Sequence, residues 1–187
     1  MQCAFEIGPG SGVYRPMLAS LFEEVVAADI ASAFLAQARH LTHNRPNIRA
    51  IEDSIVCSRF ASGSFDLILC SEVIEHIEDS AAAQAEIGRI IKPNSVLIRS
   101  TPQKYSLSQI SSKIAFLPGV VELVRWVYGE PMIEIGHINL MTAKDVQAQL
   151  RQAGFKFREC HVGGPYLPLV AEFFGRVGLR CAFAGER

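Results

Sequence analysis

The chain has 187 residues, of which 49% are apolar and 20% charged, with a formal net charge of −1. That length supports one domain with a real core, and that composition excludes a disordered chain. A charge so near zero supplies no broad basic field for nucleic acid or an anionic membrane, although a local basic patch stays open. The five cysteines, Cys3, Cys57, Cys70, Cys160 and Cys181, are odd in number and form no C-x-x-C pair. They read as reduced thiols packed as small hydrophobes, which fits a reducing, cytoplasmic compartment. No apolar run reaches the roughly 18 residues of a membrane span, and neither a signal peptide nor an internal repeat is legible.

The first element is a short apolar strand with an acid near its end and a glycine-rich turn: Cys3-Ala4-Phe5-Glu6-Ile7-Gly8-Pro9-Gly10-Ser11-Gly12. Glycines at alternate positions remove side chains where a ligand must touch backbone. The dinucleotide fingerprint sets its third glycine or alanine one place later, where this chain has Val13, and no Gly-Lys-Ser/Thr follows for a phosphate loop. A helix is expected over 15–22. Glu24-Val25-Val26-Ala27-Ala28-Asp29 reads as a buried strand ending in an acid. Ser32 is the expected cap of a helix carrying Phe34, Leu35, Ala38 and Leu41, which Asn44-Arg45-Pro46-Asn47 breaks. Strands follow over 48–53, again ending in acids, and over 65–71. Asp79 or Ser80 starts a helix with Ala83, Ile87, Ile90 and Ile91 on one side; Lys92-Pro93-Asn94 ends it, and a fifth strand runs over 95–100. This alternation predicts an α/β domain, a mostly parallel sheet with helices on both faces, that binds its ligand at the carboxyl ends of the strands.

Glu6-Ile7-Gly8-Pro9-Gly10-Ser11-Gly12 resembles the first motif of class I S-adenosylmethionine-dependent methyltransferases. The stretch from Ser64 through Glu72-Val73-Ile74-Glu75-His76-Ile77 resembles the segment that follows the fourth strand in that family. Ile91-Lys92-Pro93-Asn94 resembles its Leu-Lys-Pro-Gly turn, with Asn tolerating the left-handed conformation in place of Gly. Gly136-His137-Ile138-Asn139-Leu140-Met141-Thr142, then a helix ending at Ala153-Gly154-Phe155, looks like the family too; Thr142 is its expected N-cap with Asp145 three residues on, and Gly154 its C′ residue. The resemblance runs from Cys3 to about His161. It implies a Rossmann-like class I methyltransferase fold in a single domain over 1–187, the cofactor S-adenosyl-L-methionine, and a methyl acceptor. The family's helix before the first strand and its final antiparallel strand are not legible, so the chain reads as truncated at both ends.

The resemblance also implies roles. Glu6, Gly8, Gly10, Gly12 and Ser71 belong to the cofactor site, the turn lying against the methionine part. Asp29 accepts from the ribose hydroxyls, since an ionised carboxylate is acceptor-only, and Asp53, or Glu52 beside it, accepts from the adenine amino group. Because the methyl group is already activated on the cofactor, the protein has to align the acceptor and, for a hydroxyl, remove a proton. His76 is the candidate general base, with Glu75 or Glu72 orienting it; if helical, the spacing of the three puts them on one face. The other reading of His76 is a helix cap that lines the cofactor site. Glu72, Glu75, His76 and the distant His137 also look like the divalent-metal set of small-RNA 2′-O-methyltransferases and resemble some quinone O-methyltransferases, in which a cation lowers the pKa of an acceptor hydroxyl.

The stretch 102–135 is longer than the core fold requires, and its apolar and aromatic residues, Trp126 among them, read as a helical lid over a hydrophobic or ring-bearing acceptor. The apolar tail over 166–183 is open between a core helix, a homodimer helix and a membrane-surface helix. The expected function is methyl transfer to a hydroxyl oxygen of a small-molecule acceptor, ranked ahead of metal-assisted methylation of an RNA 3′ end and of a non-catalytic cofactor-binding subunit. The absence of aromatic–basic interleaving counts against nucleic acid.

Overall fold

The computed structural model describes residues 2–10, 12–31, 46–104, 116–119, 121–122 and 138–161. Along them run β1 (Cys3–Ile7), α1 (Arg15–Leu21), β2 (Glu24–Asp29), β3 (Ile48–Glu52), β4 (Phe65–Ser71), a 3₁₀ turn (Ile74–His76), α2 (Ser80–Ile90), β5 (Ile91–Ser100) and α3 (Ala143–Gln152). The helix expected between β2 and β3 with its Ser32 cap, most of the 102–135 insertion, His137 and the apolar tail lie outside the described residues.

The five strands form one sheet in the order β3-β2-β1-β4-β5, and every pairing is parallel. Successive side chains of a strand face opposite sides. Ala4, Val25 and Leu69 therefore pack with Leu18 of α1 on one face. Phe5, Ile7, Val26, Ile68 and Cys70 pack with Ala83, Ile87 and Ile90 of α2 on the other. A parallel sheet covered on both faces accounts for the near-continuous apolar runs of β1, β2 and β4. The larger cluster is centred on three rings: Phe5 and Phe65 stack at 4.6 Å, and Phe60 meets both edge-on at 5.4 and 4.8 Å.

The helix ends are set locally. Asp79 accepts from Ala82 N at the start of α2 (2.8 Å). Thr142 and Asp145 form the reciprocal capping box of α3, and Gly154 follows that helix at φ +85°, as the spacing predicts.

Lys92-Pro93-Asn94 corrects the sequence reading. The helix ends at Ile90, and the tripeptide lies inside β5 rather than in a turn before it. Between Phe65 and Leu67 β4 advances two residues while β5 advances five, from Ile91 to Val96. The tripeptide is the slack of a bulge, with Asn94 at φ +64° and Pro93, which has no N–H to give a ladder, at a place where none is needed. Asp66 braces it by accepting from Lys92 Nζ (2.8 Å) and Cys3 N (2.9 Å).

The ring cluster carries the sheet's packing on the α2 face. Phe5→Ala should cost about 3–5 kcal/mol of stability, read as a lower urea midpoint at an unchanged slope.

Candidate functional site

After β1 the chain crosses to the α1 face, and after β4 to the α2 face. The carboxyl ends of these two neighbouring strands therefore open a crevice at the point where the strand order reverses. It is a cleft of about 150 Å³, lined by Glu6, Gly8, Pro9, Gly10, Tyr14 and Ser71 among others.

The glycine turn forms its wall. Gly8 N donates to Ala28 O (2.9 Å), which stitches the turn to the end of β2, and Gly12 N donates to Pro9 O (2.8 Å). Gly8 stands at φ +61° and Gly12 at φ +77°. Both also lack room for a side chain: a Cβ on Gly8 would lie 2.5 Å from Val73 Cγ2, and one on Gly12 would run into the guanidinium of Arg15. Gly10 sits between them at the cleft itself.

Glu6 is the charged floor of the cleft, 3% exposed. Period two along β1 turns it toward α1, where Arg15 Nε lies 3.6 Å from its Oε2. That separation pairs the charges without a hydrogen bond, and Oε2 has no hydrogen-bond partner among the described residues. Burial pushes the Glu6 carboxyl up to about 7, against the opposing pull of Arg15. Arg15 was not foreseen as a site residue. Its Nη2 reaches Gly10 O (3.1 Å) and Pro9 O (3.4 Å), so one buried guanidinium holds both the acid and the turn. The signal available in the sequence was an arginine at the start of a helix with no other charged residue, nine residues after a strand-end acid.

Asp29 ends β2 beside the stitched turn, half-buried, its Oδ1 accepting from Ala31 N (2.9 Å). Asp53, just past β3, is committed inward: Oδ2 accepts from Ser58 Oγ (2.6 Å) and Oδ1 from Arg59 N and Nε (3.3 and 3.2 Å). Its neighbour Glu52 is exposed. Ser71 ends β4, its Oγ 2.8 Å from Ser100 Oγ, which in turn donates to Glu72 Oε1 (2.8 Å).

The shared helical face expected of Glu72, Glu75 and His76 is not formed. Only Ile74–His76 is helical, as a 3₁₀ turn, and Glu72 precedes it at φ +54°. The three side chains diverge. Glu72 bonds to Ser100, His76 is exposed at the ligand end, and Glu75 is fully buried with Oε2 on Thr101 Oγ1 (3.3 Å). Burial raises the Glu75 carboxyl above its ordinary value. Its carbonyl accepts from Ile138 N and Asn139 N (2.9 and 3.0 Å), which ties the returning chain to the 3₁₀ turn. Enclosed in this way, Glu75 supports the segment that carries His76 rather than facing the cleft. Among the described residues no group of three His, Cys, Asp or Glu side chains gathers to hold a metal. Burial pushes the Cys70 thiol in β4 up to about 12, so it packs as a hydrophobe and is no nucleophile.

Comparison with known proteins places this geometry. A family model described as "Methyltransferase domain" matches residues 5–99. A ubiquinone biosynthesis O-methyltransferase of Albidiferax ferrireducens is 29% identical over 119 residues, covering 60% of this chain and 47% of that protein. The chain spans about half the length of the curated relatives it matches. Two solved structures share the fold. An S-adenosylmethionine-dependent methyltransferase from Aquifex aeolicus superposes with a TM-score of 0.60 at 15% identity, over 83% of this chain and 72% of that one. Phosphoethanolamine N-methyltransferase 2 of Haemonchus contortus, solved in complex with S-adenosyl-L-methionine, superposes with 0.59 at 20% identity, over 82% and 33%. No helix among the described residues is long and apolar enough to cross a membrane.

Two outcomes follow from the cleft. Gly8→Ala should abolish ligand binding there, measured by calorimetry on folded protein, because the new methyl needs both a positive φ and the space of Val73. Glu6 binds its proton more tightly in the folded chain, near 7, than at its ordinary 4.5. Its contribution to stability therefore falls as pH rises through that window. Glu6→Gln should flatten this part of the curve of unfolding free energy against pH.

Proposed function

Because the chain belongs to the methyltransferase-domain family of class I, S-adenosylmethionine-dependent proteins, we propose that it transfers a methyl group to a hydroxyl oxygen of a small molecule. The carrying observation is the cleft at the reversal point between β1 and β4, walled by glycines and floored by a buried carboxylate whose Oε2 takes no hydrogen bond among the described residues. A buried carboxylate that lines the cleft, paired with a cation but taking no hydrogen bond at Oε2, fits a ligand that brings its own donor, as the amino group of S-adenosyl-L-methionine does.

The cleft of about 150 Å³ is smaller than a whole small-molecule site of roughly 300–1,000 Å³. On this reading it holds the amino-acid end. The nucleoside end would be held at the ends of β2 and β3, with Asp29 placed to accept from the ribose hydroxyls. For the adenine, the exposed Glu52 is better placed than Asp53, whose carboxylate already accepts from Ser58 and Arg59. Bound there, the cofactor supplies a methyl group activated on a sulfonium.

The acceptor side lies past β4. His76 is exposed there and takes the hydroxyl proton, with the buried Glu75 fixing the turn that presents it. The start of the insertion meets the chain that returns after it: Gln103 bridges to Met141, and Lys104 N donates to Met141 O (3.1 Å). Its apolar and aromatic sequence suits a ring-bearing acceptor, and the similarity to ubiquinone biosynthesis O-methyltransferases supports oxygen as the methylated atom.

The test is transfer of a labelled methyl group from S-adenosyl-L-methionine to a panel of phenols, hydroquinones and small amines. Transfer to phenolic oxygen is expected; transfer to amines alone would overturn the reading. His76→Ala should lower kcat by about a hundredfold or more without changing cofactor affinity. Asp29→Ala should weaken cofactor binding by roughly 1–3 kcal/mol, measured by calorimetry.

A further inference from the structure

We propose that Arg15 is a positioning residue for the cofactor turn: held beneath the glycines, it pairs with the Glu6 carboxylate and favours its ionised form, so that Glu6 receives the ligand's ammonium group. The inference rests on the cofactor reading above and concerns how the chain makes that site.

The geometry is specific to this side chain. Arg15 is 2% exposed at the first residue of α1. Its Nη2 bonds to the carbonyls of Pro9 and Gly10 and its Nε faces Glu6 Oε2, so the acid and both middle residues of the turn share one planar cation. Gly12 has no side chain in the space the guanidinium fills. A lysine would supply the charge but not the fork.

Among the described residues, the groups around Glu6 are few. Its register partners are Ala27 on β2 and Leu69 on β4, both apolar. Tyr14 and Ser71 line the same cleft, and among the described residues Arg15 is the charge that acts on Glu6. Burial and Arg15 thus oppose each other, and the balance leaves the carboxyl titrating at about 7. A ligand that donates from an ammonium needs the carboxylate ionised. Binding near and below neutral pH therefore releases a proton from Glu6, and the release depends on Arg15.

The experiment is calorimetric titration of the full chain with S-adenosylhomocysteine between pH 5.5 and 8, in buffers of different ionisation enthalpy. 5′-Methylthioadenosine, which lacks the amino-acid end, is the control. For the unaltered chain, S-adenosylhomocysteine affinity should fall about tenfold per pH unit below the midpoint, as one linked proton requires, with up to one proton released, while the control stays flat. Arg15→Leu should move that midpoint upward by about one unit or more, and Arg15→Lys should bring it most of the way back. Glu6→Gln should abolish the pH dependence. A flat pH profile with the unaltered chain overturns the inference and leaves the cofactor reading standing. So does an Arg15→Leu variant that binds more weakly by the same factor at every pH, which marks a purely structural arginine. No binding of either ligand by the folded, unaltered chain overturns the cofactor reading and the inference together.

Discussion

Placing a carboxylate inside the sheet's carboxyl end is the constraint that the site depends on. A charge removed from water costs several kcal/mol unless it is paired and hydrogen-bonded. Here the partner comes from the next element, and that places Arg15 where it excludes a side chain from Gly12. The glycines of the turn are consequently required for different reasons. Gly8 yields to Val73, which follows β4, while Gly12 yields to the arginine of α1. A loop that looks like a flexible connector is in fact pressed into shape from two sides.

The sheet then delivers the remaining groups by register. Ile7 pairs with Ala28 and Cys70 with Arg99, so the strand ends around the crevice finish nearly level. On the β3 side the chain past Asp53 is pinned to α2: Glu86 accepts from Ser58 N (2.9 Å) and from Arg89, whose Nη2 also reaches Ser58 O and Phe60 O (3.2 and 2.7 Å). These bonds seat Phe60 in the ring cluster below, and they explain why Asp53 turns inward. Its oxygens cap the start of the pinned loop.

The parts of this arrangement written in contiguous residues were legible in the sequence. The glycine spacing, the acids at strand ends and the capping box at Thr142 depend on neighbours within a few positions, and the parallel sheet follows from their alternation. What depended on a meeting across the fold was not legible. Arg15 matters because α1 folds back over β1, which period alone does not announce. The three residues Glu72, Glu75 and His76 have helical spacing, yet the positive φ of Glu72 and the burial of Ile74 and Glu75 break the shared face. The apolar Ile74 and Ile77 beside them hinted that this stretch is drawn inward rather than left on a helix surface. Asn94 was legible as a left-handed residue, but not as part of a bulge, because the partner strand decides that.

The bulge in β5 sets the phase of the strand beyond it. Past Val96 each residue is committed to one side: Arg99 Nη1 lies on Gln84 of α2 (3.0 Å), and Ser100 stands opposite Ser71 at the crevice. Side chains alternate, so a chain one residue shorter at 92–94 would exchange the two. The guanidinium would take the place of Ile98, opposite the cleft-lining Leu69, and the Ser100 hydroxyl would face Gln84. The amino end of the sheet, opposite the crevice, thus works as a length gauge for the carboxyl end: substitutions in the tripeptide are absorbed where they occur, but a change in its residue count is transmitted along the strand to the crevice.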